Sequence, residues 1–139
     1  MSVEVNYWGV VVAMLSSMAV GSFWYAQAVF GKRWAKLANV DMSKDRGNMF
    51  KPIATTMVVS LITAYVLAHV AYLTNQFFGR SFLQDSLTTA FWLWLGFTAA
   101  RFITHDAFEG RPSQLTLINA GNEFFTVMLM GLVIGLFGV

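Results

Sequence analysis

The chain has 139 residues, of which 57% are hydrophobic, 16% aromatic and only 12% charged, and its mean hydropathy is +0.59. That balance excludes an ordinary water-soluble domain and predicts an integral membrane protein built as a single domain. The net charge of +2 is too small and too unevenly placed to read as a nucleic-acid footprint, and the lack of cysteine removes disulfides, thiolate metal sites and cysteine chemistry.

Crossing a bilayer takes about 20 apolar residues in a helix. Four stretches reach that length: 7–30, 53–73, 87–108 and 115–139. Helices are the expected form, because hydrocarbon cannot satisfy an open backbone and no run of alternating segments suggests a barrel. The fold class predicted is therefore all-α, a bundle of four transmembrane helices. The segment before the first span lacks the basic region of a signal peptide, so it is expected to be retained.

In the first span Ala13, Ser17 and Gly21 recur at every fourth position, the pattern of a close-packing face. Trp24 and Gln27 add polarity toward its end. Segment 31–39 sets Trp34, Leu37 and Ala38 against Lys32, Arg33 and Lys36. That pattern fits either an amphipathic helix in the headgroup layer or, more simply, a basic loop that holds topology. Pro52 stands where a helix start tolerates proline. The second span carries a weaker polar stripe, Tyr65, His69 and Tyr72, and a connection over 74–86 follows.

The third and fourth spans hold most of the polar chemistry. Thr98, Arg101 and His105 share one face of one helix, as Asn119, Glu123 and Thr126 do on the next. The turn between them contains Pro112. A tight antiparallel hairpin about that turn sets Arg101 level with Glu123, His105 with Asn119 and Thr98 with Thr126. Ionisable groups in a span are costly, and a guanidinium can grip a carboxylate through two hydrogen bonds. Three readings follow: glue between helices, an ion or proton relay, or an anchor for a ligand. Arg101 can also snorkel toward the nearer interface and leave Glu123 without it. The candidate binding residues are thus Glu123, Arg101, His105, Asn119 and Asn122, with His69, Tyr65 and Gln27 as secondary candidates.

Basic residues set the orientation. Lys32, Arg33, Lys36, Lys44, Arg46 and Lys51 lie between the first two spans, Arg111 marks the last turn and Arg101 precedes it; Arg80 alone lies at the opposite end. The positive-inside rule then places the 31–52 segment in the cytoplasm and both termini outside. Gly131 and Gly135 form a second small-residue face, which serves either an oligomer or packing within the chain. No phosphate loop, nucleophile elbow or metal-ligand motif is present, so the sequence predicts neither an enzyme nor a cofactor.

Several motifs carry a family resemblance. Trp24-Tyr25, Phe30-Gly31-Lys-Arg-Trp34, Ala64-Tyr65-Val-Leu-Ala-His69, Trp94-Leu-Gly96-Phe97, Phe108-Glu109-Gly-Arg111-Pro112 and Leu117-Ile-Asn119-Ala-Gly121 together resemble the membrane family known as domain of unknown function number 1761. The likeness runs through nearly the whole chain. It implies four helices and a prokaryotic membrane protein, and it implies no activity. After Asn-Ala-Gly the family pattern has an aromatic residue and a histidine, where this chain has Asn122 and Glu123. Two functional expectations remain: a small transport or channel-like protein with an intramembrane polar site, or an accessory subunit of a larger membrane complex. The expected surroundings are lipid and either further copies of the chain or other membrane subunits.

Overall fold

The computed structural model describes residues 3–42 and 49–139, and these are helical with short connections. Lys44 and Arg46 of the basic segment lie outside the described residues. Helix α1 (Tyr7–Trp24) opens on Asn6, whose side-chain oxygen accepts from the Gly9 amide at 3.2 Å and so satisfies one free donor of the first turn. The extended backbone of Ala26 ends it six residues short of the predicted span. A π turn over Gln27–Gly31 follows, closed by the Gly31 amide on the Ala26 carbonyl at 3.0 Å. Glycine is required there, since a Cβ at Gly31 would collide with the Tyr25 carbonyl oxygen.

Within 31–39 the chain forms a short helix, α2 (Lys32–Leu37). Ala35 is buried and Trp34 half-buried, while Lys32, Arg33 and Lys36 are exposed. Arg33 also donates to Gln114 at 3.0 Å, tying α2 to the start of the last helix.

Helix α3 (Phe50–Phe78) is longer than the predicted 53–73, and the predicted 74–86 connection shrinks to three residues before α4 (Phe82–Leu93). The extension holds because its polar residues have partners. Asn75 donates to the Arg80 carbonyl at 2.8 Å and to Asp85 at 2.9 Å, and Arg80 donates through Nε to Asp85 at 2.7 Å. Gly79 then ends α3 in the left-handed conformation at φ +65°, and Ser81 caps α4 by accepting from the Gln84 amide.

From Phe82 the chain stays helical to Phe108, but not as one regular α-helix. A π segment over Trp94–Ala99 separates α4 from α5 (Ala100–Phe108). Helix α6 (Ser113–Phe137) returns after a turn in which Gly110 takes φ +66°. Among the described residues, three helices are long and apolar enough to cross a membrane: α1, α3 and α6.

The helices form a ring in which α1 touches α3 and α6, and α4 touches the same two. Small residues make the ring tight. Ala13, Ala64, Ala68 and Ala90 sit in the core beside Val10, Leu67, Val127, Met130 and Ile134. A Cβ on Gly131 would lie 2.8 Å from the Ala90 Cβ, and one on Gly135 would lie 2.7 Å from Leu83 Cδ1. The Gly131/Gly135 face is thus used within the chain, against α4. α1 runs antiparallel to α6, with Asn6 donating to the Phe137 carbonyl at one end and Trp24 to the Ile118 carbonyl at the other.

Candidate functional site

Facing, rather than height, decides which polar groups of the last hairpin meet. Asp106 accepts from Thr116 at 2.7 Å, which sets Arg101 within about 3 Å of the level of Glu123. Further from the turn, Trp94 packs edge-on against Phe124 with ring centres 4.9 Å apart. The expected Arg101–Glu123 contact is absent among the ion pairs of the described residues, and Arg101 and His105 are exposed. The two side chains face apart, Arg101 to the outside and Glu123 toward α1 and α3. The π segment separately puts Thr98 out of phase with Arg101 and His105, because its wider turn holds an extra residue. His105 and Asn119 likewise have different surroundings: Asn119 accepts from the Tyr25 hydroxyl at 3.0 Å.

The hairpin has a different polar lock. Asp106, 5% exposed, accepts from Thr116 Oγ1 at 2.7 Å. The Arg111 Nε stands 3.8 Å away and pairs more closely, at 2.6 Å, with Glu109.

Glu123 faces the other way, into a cleft of about 540 Å³ between α1, α3 and α6. One face of α6 supplies Asn122, Glu123, Thr126 and Met130. Ser17, Gly21 and Tyr25 come from α1 and its cap, and Thr56, Ser60 and Thr63 from α3. The cleft exists because α3 over 50–63 leaves the ring: no residue there is buried, whereas Ala64, Leu67 and Ala68 are. Gly21 borders this open space, and a Cβ there would meet nothing within 4 Å. All three walls come from the half of the bundle nearest α2.

Two tryptophans fix the α6 wall. Trp24 donates to the Ile118 carbonyl at 3.0 Å and Trp94 to the Ala120 carbonyl at 2.9 Å. Trp24 also lies against Gly121, where a Cβ would be 3.0 Å from its ring. Phe30 and Phe125 pack around that ring at 4.6 and 5.4 Å, and Trp34 meets Tyr25 at 5.5 Å. The motifs Trp24-Tyr25, Phe30-Gly31 and Asn119-Ala-Gly121, far apart in sequence, thus form one aromatic clamp beside the cleft.

Electrostatically the cleft is one-sided. Among the described residues, Glu123 is its sole acidic group and no Lys, Arg or His lines it. Asn122 is 7% exposed and Thr126 8%, and Asn122 Oδ1 and Thr126 Oγ1 make no hydrogen bond. Buried polar atoms without partners are uncommon and costly, and Ser86 Oγ on α4 is a third.

The secondary candidates lie elsewhere. His69 Nδ1 is 2.8 Å from the Tyr65 carbonyl one turn earlier on α3, with ring centres 4.1 Å apart, and Tyr65 stacks on Tyr7 at 6.5 Å. Gln27 is exposed in the π turn. The sequence reading missed Tyr25 and the α3 hydroxyls. The spacing of Thr56, Ser60 and Thr63 by four and three was a legible signal for a polar face. It passed Ser17 and Gly21 as packing residues, although both line the cleft.

A family described as "Protein of unknown function (DUF1761)" matches residues 8–135. No curated protein and no solved structure matches the chain.

Proposed function

The chain belongs to the DUF1761 family of proteins of unknown function, and from its own geometry we propose that it is a non-enzymatic integral membrane protein that carries a small polar solute or ion through the Glu123 cleft. The observation that supports this is a cleft of about 540 Å³ that holds, among the described residues, a single carboxylate, on helices long and apolar enough to cross a bilayer. That volume falls in the ordinary range for small-molecule sites. A carboxylate among lipid-crossing helices is costly, and a binding or relay role gives it a purpose.

In this reading the run 82–108, about 40 Å long, makes a fourth span. Lys32, Arg33, Lys36 and Lys51 hold the cleft end of the bundle in the cytoplasm of a prokaryotic cell, with both termini outside. The unburied first half of α3 leaves the cleft open at its side, and a second copy of the chain or another membrane subunit closes it.

Reconstituted in liposomes with a pH-sensitive dye inside, the wild-type protein is expected to pass protons or coupled solute. Glu123→Gln is expected to lower that flux about tenfold or more, the scale of losing one charge-assisted contact. Equal flux through both proteins would retire the reading.

A further inference from the structure

The cleft's chemistry narrows its ligand, granted that the cleft is a binding site. Of the hydroxyls that line it, those of Ser22, Ser60 and Thr126 have no acceptor among the described residues, and the others are committed within the protein. Ser17 donates to Met14, Thr55 to Lys51, Thr56 to Pro52 and Thr63 to Val59, at 2.6 to 3.0 Å. The Tyr25 proton goes to Asn119. What these oxygens still offer the cleft is lone pairs. The Glu123 carboxylate and the unpartnered Asn122 Oδ1 add more. Thr126 Oγ1, with no bond at all, can give or accept.

An anion would find a like charge and, among the described residues, no cationic side chain to offset it. An apolar molecule would leave the buried Asn122 and Thr126 atoms unsatisfied. A bare metal cation needs several oxygens closing around it at about 2.0–2.6 Å, whereas here the oxygens are spread over three helices around some 540 Å³. The remaining class carries a positive charge, several N–H donors and a short apolar body. Met18, Val59 and Met130 supply the surface for that body.

We propose that the cleft binds a small organic monocation, a primary ammonium or guanidinium, with its N–H groups on Glu123, Asn122 Oδ1 and Thr126 Oγ1. The carboxylate gives the charge-assisted contact, and the two unpartnered atoms set its direction.

The test is a titration of the purified protein in lipid nanodiscs, read by thermal unfolding and tryptophan fluorescence, with n-butylammonium, n-butylguanidinium, n-butanol, butyrate and sodium chloride. The two cations are expected to saturate and raise the unfolding midpoint. Butanol, butyrate and sodium are expected to do neither. Glu123→Gln should weaken butylammonium about tenfold or more, and Thr126→Val severalfold. Thr126→Val should keep the fold, because it replaces an unsatisfied hydroxyl by a methyl of the same shape.

Absent saturation by either cation, equal response to butanol or butyrate, or sodium binding with the same Glu123 dependence would overturn the proposal. So would full butylammonium affinity in both variants. Ammonium binding without flux in liposomes removes the transport reading and leaves this one standing; flux without ammonium binding does the reverse.

Discussion

Arg80→Ala is expected to destabilise the protein by about 2–3 kcal/mol, lowering the denaturation midpoint in detergent. The cause is the partner it abandons. Asp85 is fully buried, and Arg80 donates to its Oδ1 through Nε and Nη2, both at 2.7 Å. Without the guanidinium, that carboxylate keeps only the Asn75 amide at 2.9 Å. Breaking a buried pair from one side costs about 3–5 kcal/mol; the lower figure is used here because exposed ion pairs are screened by water and the Arg80 side chain is 44% exposed. A double change, Arg80→Leu with Asp85→Leu, should recover most of the loss, since it removes the charge that the single change leaves buried. A double variant as unstable as the single one would show that the α3–α4 turn is held by something other than this pair.

The second large effect lies in the α4–α6 contact. Gly135→Ala is expected to cost up to about 3 kcal/mol, the upper end for overpacking. The added Cβ would sit 2.8 Å from the Leu83 Cα as well as 2.7 Å from its Cδ1, so a rotamer change alone cannot make room. Either α4 must move or the helix pair must open. Gly21→Ala is the matched control, because nothing lies within 4 Å of its Cβ position. It should be neutral or raise stability by up to about 1 kcal/mol through helix propensity. The same detergent denaturation measures both, and equal effects would refute the close-packing argument.

The helical character of this chain was legible because it depends on local composition. Long apolar runs specify helices whatever their neighbours. Their ends were harder to see, since they depend on partners: Asn75 reads as a loop residue until Arg80 and Asp85 are seen to satisfy it. The amphipathic pattern of 31–39 did encode a helix at Lys32–Leu37, although a basic loop was the simpler reading.

Of the candidate site, Glu123 and Asn122 line the cleft, whereas Arg101 and His105 were placed with Glu123 and Asn119 by counting equal distances from the Pro112 turn, which fixes height along the helices and not the direction a side chain faces.

The sequence by itself determined an all-helical chain with bilayer-length apolar helices, a basic segment between the first two, and a carboxylate that apolar surroundings make costly. These follow from residue type and spacing, which act locally. Only the tertiary structure decided what Glu123 faces. The rotation of α6 is set by Gly131 and Gly135 seating against α4 and by Trp24 and Trp94 gripping its backbone from two sides. That rotation turns Glu123 toward Ser17, Tyr25 and Thr63 and away from Arg101, because close packing of small residues, rather than charge attraction, fixes how these helices meet.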